Sequence, residues 1–221
     1  MTQSEASQAP RRTSERPRRT QQQRRDATRA LLMQATVASL VEQGYRGTTT
    51  LEIERRAEVS RGARIHHFPT KAALLAAAVD HLYNRLSDHY DEAFGQAPPG
   101  TQDARRLRSG LRLLWSLYCS PGYAAVLELN MAARTDDELR AQLQEVGARH
   151  RELALAAARV HFALVPETAL HLVEAIHATM LGLLMQRNVE PCEARESATL
   201  ELLEVMVVEH LPGGRSDGGG R

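Results

Sequence analysis

From Arg24 to His210, apolar residues recur three and four positions apart, and no stretch alternates as a half-buried strand would. The pattern predicts an all-α chain with helices over Arg24–Gln43, Thr50–Ala57, Ser60–His67, Lys71–Phe94, Asp103–Cys119, Tyr123–Ala133, Asp136–Ala163, Glu167–Arg187 and Glu193–His210. Gly44, Gly95–Gly100, Pro121-Gly122, Thr135, Pro166 and Pro191 punctuate it. Two short helices around the tight turn Glu58-Val59 predict a helix-turn-helix, with Thr50 and Ser60 as N-caps. Leu40, Ile53, Val59 and Phe68 are expected to close its small core. Gly62 would let either a crossing helix or a DNA backbone come close.

The last two predicted helices are apolar on more than one face. Ala169, Val173, Ile176, Met180 and Leu183 form one stripe, and Leu170, His177, Leu181 and Leu184 a second. Leu200, Leu203 and Val207 run beside Leu202, Val205 and Met206. One stripe suffices to cover a chain's own core, so the excess fits either a homodimer interface or a deeply buried pair of helices. The interface expected here is Val173, Ile176, Met180, Leu184, Leu200, Leu203 and Val207. A third concentration of large side chains, Trp115, Tyr118, Tyr123, Leu127 and Met131 with His161, Phe162, His177 and Met180, fits either ordinary core or the wall of a pocket for a small organic effector.

Charge sharpens the division. Residues 1–71 hold 14 Lys+Arg against 7 Asp+Glu, whereas residues 72–221 hold 14 against 20. A basic front and an acidic remainder point to a polyanion as partner of the front alone. Residues 1–22, rich in Arg, Gln, Ser and Thr, read as a disordered basic arm, and 213–221 as a flexible Gly-rich tail. Between them lie a DNA-binding domain over 23–83 and a ligand-binding and dimerisation domain over 84–212. No apolar run approaches the roughly 20 residues of a membrane span. Cys119 and Cys192 are expected as free thiols in a cytoplasmic protein. Neither the histidines and cysteines nor any Gly-rich loop has the spacing of a metal, cofactor or catalytic site, so no enzyme and no cofactor are expected.

The segment Thr48–Lys71, TTTLEIERRAEVSRGARIHHFPTK, is the most specific feature. It resembles the signature of the tetracycline-repressor-like (TetR) regulators, T-T-x-x-x-I-A-x-x-A-G-V-S-x-G-x-L-Y-x-H-F-x-[ST]-K-x-x-L, through Thr49, Thr50, Ile53, Ala57, Val59, Ser60, Gly62, His67, Phe68, Thr70, Lys71 and Leu74. The likeness covers about Arg24 to Tyr83. It implies a homodimeric regulator, as a rule a repressor, that binds a palindromic double-stranded DNA operator and is released by a small molecule. Arg61, Gly62, Ala63, Ile65 and His66 are then the residues to face base edges, while Thr50, His67 and Lys71 match positions that grip phosphate. Three positions depart from the signature. Glu58 stands for Gly, which matters only if that residue needs a positive φ. Arg64 and Ile65 stand for Leu and Tyr, and Arg64 fits either a DNA contact or a structural role. A rival reading is a non-specific, architectural DNA-binding module without an effector.

Overall fold

In a computed structural model, residues 20–94, 104–162 and 164–210 are described; the side chains of Leu86, Tyr90, Asp91, Ala93, Phe94, Ala104, His161, Phe162 and His210 are not. The expected arm up to residue 19, the break over 95–100 and the tail over 213–221 lie outside the described residues. Within them the chain forms α1 (Gln21–Gly47), α2 (Thr50–Ala57), α3 (Arg61–His67), α4 (Lys71–Phe94), α5 (Ala104–Tyr118), α6 (Pro121–Ala132), α7 (Asp137–Phe162), α8 (Pro166–Val189) and α9 (Glu193–His210).

The helix ends differ from expectation where the cap chemistry differs. Thr20 accepts from the Gln23 amide while the Gln23 side chain accepts from the Thr20 amide, so α1 begins inside the expected arm. It also passes Gly44 through a kink at φ 68° before a last short turn. There the Thr48 hydroxyl donates to the Gly44 carbonyl at 2.8 Å and meets Ser39 at 3.1 Å in a buried polar pair. Thr49, not Thr50, caps α2, accepting from the Glu52 amide. Pro121 and Pro166, read as breaks, open α6 and α8 instead, because a first-turn residue needs no amide donor.

Three apolar clusters follow one another along α4. Leu32, Ala35, Ile53, Ala57, Phe68 and Leu74 form the core of α1–α3. Leu40, assigned to that core from the sequence, lies instead in the second cluster. It sits there with Leu75, Val79, Val126, Leu129, Leu139 and Val146, where α1 and α4 meet α6 and α7. Trp115, Tyr118, Tyr123, Met180, Leu184, Leu203 and Val207 belong to the third, among α5, α6, α8 and α9, with Tyr83 against it. The expected domain boundary at 83 falls inside α4, which links the two halves as one continuous rod. Each fully buried Leu or Ile contributes about 2 kcal/mol of transfer free energy, and Leu32, Ile53, Leu74, Leu75, Leu129 and Leu139 are of this kind.

Against expectation, α8 is long and apolar enough, by length and composition alone, to cross a bilayer. Its apolar residues divide between a face buried in the chain, with Ala169, Leu172, Met180, Leu183 and Leu184, and an open face with Met185 and Val189.

Candidate nucleic-acid interface and interior cavity

The turn between α2 and α3 is set by two residues. Glu58 adopts the left-handed conformation at φ 53°, and its amide and that of Val59 return to the end of α2. Ser60 then caps α3, its hydroxyl accepting from the Ala63 amide at 3.2 Å. With Phe68, the C-cap residue of α3, fixed in the core, the opposite side of α3 is open. Arg61, Gly62, Ile65 and His66 are exposed there, with Ala63 and His67 half-buried at its margin. A Cβ built on Gly62 meets nothing within 4 Å, so among the described residues no helix uses the close approach that a glycine permits.

The first turns of α1 flank the same surface. Arg25 Nη2 lies 3.2 Å from His66 Nε2. Arg29 lies over the Phe68 ring, 4.7 Å from its centroid. Burial first, and then the neighbouring His66, Arg25 and Arg29, lower the His67 pKa from its ordinary value. Lys71 is half-buried beside the Tyr45 ring and donates to the Tyr45 carbonyl at 3.3 Å, leaving two N–H donors. Burial lowers its pKa also.

A second site lies within the C-terminal half. A cavity of about 310 Å³ opens between α4, α5, α7 and α8. Tyr83, Ser87, Tyr118, Tyr123, His150, Arg151, Glu174 and His177 supply its polar atoms, and leucines of α5 with Leu164, Leu172 and Ile176 most of its apolar wall. Tyr118 and Tyr123 stack with centroids 4.0 Å apart. The Tyr118 hydroxyl bonds His177 Nδ1, and the Tyr123 hydroxyl interacts with those of Tyr118 and Tyr83. Desolvation raises all three phenol pKa values and lowers that of His177, holding the four groups neutral.

Residues 32–78 match the family described as bacterial regulatory proteins, tetR family. Over these residues, from α1 into α4, the chain is similar to the tetR-family helix-turn-helix. The chain is 35% identical over 128 residues to an uncharacterized HTH-type transcriptional regulator of Mycobacterium tuberculosis, a match covering 58% of this chain and 64% of that protein. It is 31% identical over 134 residues to the HTH-type transcriptional regulator CymR of Pseudomonas putida, covering 61% and 64%. The matched stretch thus spans less than two thirds of either relative's length. The crystal structure of the multidrug binding protein EbrR complexed with imidazole shares the fold at a TM-score of 0.58 and 20% identity, over 83% of this chain and 94% of that one.

Two departures from the tetR signature acquire a physical meaning. Glu58 does occupy a positive φ, the condition under which the missing glycine matters. Arg64 is withdrawn from the expected DNA contacts, being only 7% exposed. Its Nε bonds Glu54 at 3.0 Å and its Nη1 bonds the carbonyls of Phe68 and Pro69 at 3.1 and 3.3 Å, locking α3 to α2 and to the next turn. Thr50, at the first position of α2, is half-buried.

Of the expected pocket residues, Tyr118, Tyr123 and His177 meet at the cavity wall. Trp115, Leu127, Met131 and Met180 do not line it. Trp115 turns its indole N–H to Glu196, 3.3 Å away, and Glu196 is held in turn by Arg187. Leu127 packs on the core, Met180 is fully buried and Met131 is 57% exposed. His161 and Phe162 fall on undescribed side chains. The expected dimer interface is corrected as well. Met180, Leu184, Leu200, Leu203 and Val207 belong to the chain's own core, and Val173, Ile176 and Val207 line the cavity. Sequence reasoning missed Tyr83, His150, Arg151 and Glu174. The available signal was the run of small residues Gly147, Ala154, Ala157 and Ala158, which leaves room on the cavity side of α7.

Proposed function

We propose that this chain is a cytoplasmic, homodimeric transcription regulator, in the usual sense a repressor, that binds a palindromic operator through α3 and releases it when a small molecule enters the C-terminal cavity. The observation carrying this reading is the open face of α3, where Arg61, Gly62, Ile65 and His66 project beside Arg25 and the rest of the fold is packed behind. Gly62 would admit the DNA backbone or a base edge, Arg61 would bond guanine, and Lys71 in the first turn of α4, with Thr50 and His67, would hold phosphates. The names of the relatives support regulation. EbrR, a multidrug binding protein complexed with imidazole, supports a small-molecule site in a neighbour of the same fold. Two copies joined through the outer faces of α8 and α9 would offer two α3 helices to successive major grooves about 34 Å apart. The reading requires no metal or cofactor.

The test is fluorescence anisotropy with the operator, sought in the DNA flanking the chain's own gene, against scrambled DNA. Arg61→Ala is expected to cost about 1–3 kcal/mol on the operator and to relax specificity. Lys71→Ala should weaken both DNAs alike and reduce the salt slope by about one per site. Equal losses on both DNAs for both variants would reject the assignment.

A further inference from the structure

The acidic and basic groups around the cavity are engaged with one another. Arg151 Nε lies 2.7 Å from Glu174 Oε1, and His150 Nε2 lies 2.7 Å from Asp80 Oδ1, which also holds Arg149. The remaining polar lining groups among the described residues, the phenols and His177, are neutral, with Ser87. The phenols and His177 form a connected row in the order Tyr83, Tyr123, Tyr118, His177, and the apolar lining is mostly leucine, isoleucine and alanine.

Such a row has a fixed hydrogen-bonding arithmetic. Each phenol owns one hydrogen, and a neutral imidazole owns one more. If Tyr118 donates to His177 Nδ1, the row exposes a donor at Nε2 and spare acceptors on the phenols. If the row runs the other way, Nε2 accepts and the donor lies at Tyr83. Either orientation satisfies a ligand hydroxyl, and each supplies one donor to a carbonyl, from His177 Nε2 or from the Tyr83 hydroxyl. Neither offers a free counter-charge, so an ionised ligand would leave water without compensation.

Resting on the effector-site reading above, we infer that the cavity takes an uncharged, mostly apolar molecule bearing one hydroxyl or carbonyl group. A wholly apolar molecule would bury the hydroxyl row without satisfying its spare sites.

Isothermal calorimetry on the full chain near neutral pH tests this with four probes of one skeleton: naphthol, naphthoate, naphthylmethylammonium and naphthalene. Naphthol is expected to bind at least about tenfold more tightly than either ion. It should exceed naphthalene by about three- to tenfold, a margin that Tyr123→Phe reduces. Ala157→Trp fills the cavity, and Leu153→Trp, at a partly exposed lining position, does so with less risk to folding; both should abolish binding. If an ion binds as tightly as naphthol, or naphthalene does, while the tryptophan variants still abolish binding, the ligand class is wrong and the cavity remains the effector site. If no probe binds, or binding ignores both tryptophan variants, the cavity reading fails and this inference fails with it.

Discussion

Arg61 and Arg64 stand three residues apart on α3, and burial gives them opposite work. Arg61 is open to solvent, whereas the Arg64 guanidinium is spent on Glu54 and two backbone carbonyls. Arg64→Leu would strand the Glu54 carboxylate, whose side chain is only 11% exposed, and two carbonyls. It is expected to lower stability by about 3 kcal/mol in urea denaturation, while Arg61→Ala leaves the midpoint unchanged and acts on DNA affinity. A stable Arg64→Leu variant would return Arg64 to the candidates for DNA contact. Glu58 makes a second residue-scale prediction. A non-glycine residue in the left-handed region costs about 1–2 kcal/mol, offset in part by the extra unfolded-state entropy of glycine. Glu58→Gly should therefore raise stability by about 0.5–1 kcal/mol, read as a higher urea midpoint with unchanged slope. The Glu58 departure could be seen in the sequence together with its condition. The fate of Arg64 could not, because α2 and α3 had to be placed before Glu54 became its partner.

Between α1 and α6 the decisive contact is made by a glycine that the sequence marks as a stop. Gly44 turns the chain at φ 68°, freeing the Tyr45 amide, which donates to Glu128 Oε1 of α6 at 2.7 Å. The Tyr45 hydroxyl reaches Asp136 at 3.0 Å, and Lys71 of α4 closes on the Tyr45 carbonyl. Four segments are thus pinned around one residue. A Cβ on Gly44 would stand 2.7 Å from Glu128 Oε1 and would be strained at that φ as well. Gly44→Ala is expected to cost about 2 kcal/mol, and Glu128→Ala about 1 kcal/mol for its exposed charge-assisted bond. Thermal unfolding of the two variants measures this, and Glu128→Ala melting below Gly44→Ala would contradict the account. Helix existence was legible here from spacing and punctuation. The kink was not, since a helix stop and a helix bend share the same glycine, and only the acceptor 84 residues away along the chain distinguishes them.

At the scale of the whole molecule, the excess of apolar surface on α8 and α9 was readable, but its orientation was not. Helices apolar on two sides carry little information about which side faces inward. The structure turns Met180, Leu184, Leu203 and Val207 into the core and leaves Met185, Val189, Leu202, Val205 and Met206 open, with Ala175, Ala178 and Ala198 beside them. On α9, Leu202, Val205 and Met206 share one face by their spacing, and on α8 Ala178, Met185 and Val189 do so around Gly182. A Cβ on Gly182 meets nothing within 4 Å, so a second helix could approach closely there. If this face joins two copies, Met185→Glu with Leu202→Glu should give a folded monomer, because neither side chain supports the core of its own chain. Leu203→Glu, at a core position only 4% exposed, should instead unfold the protein. Sedimentation velocity at micromolar concentration, paired with circular dichroism, separates the two outcomes. A monomeric parent protein, or a double variant that stays dimeric, would refute this face as the interface. Loss of helicity in the double variant would show that the face supports the fold of a single copy. A monomeric double variant should also lose most operator affinity with α3 unaltered, since one half-site then binds without the other.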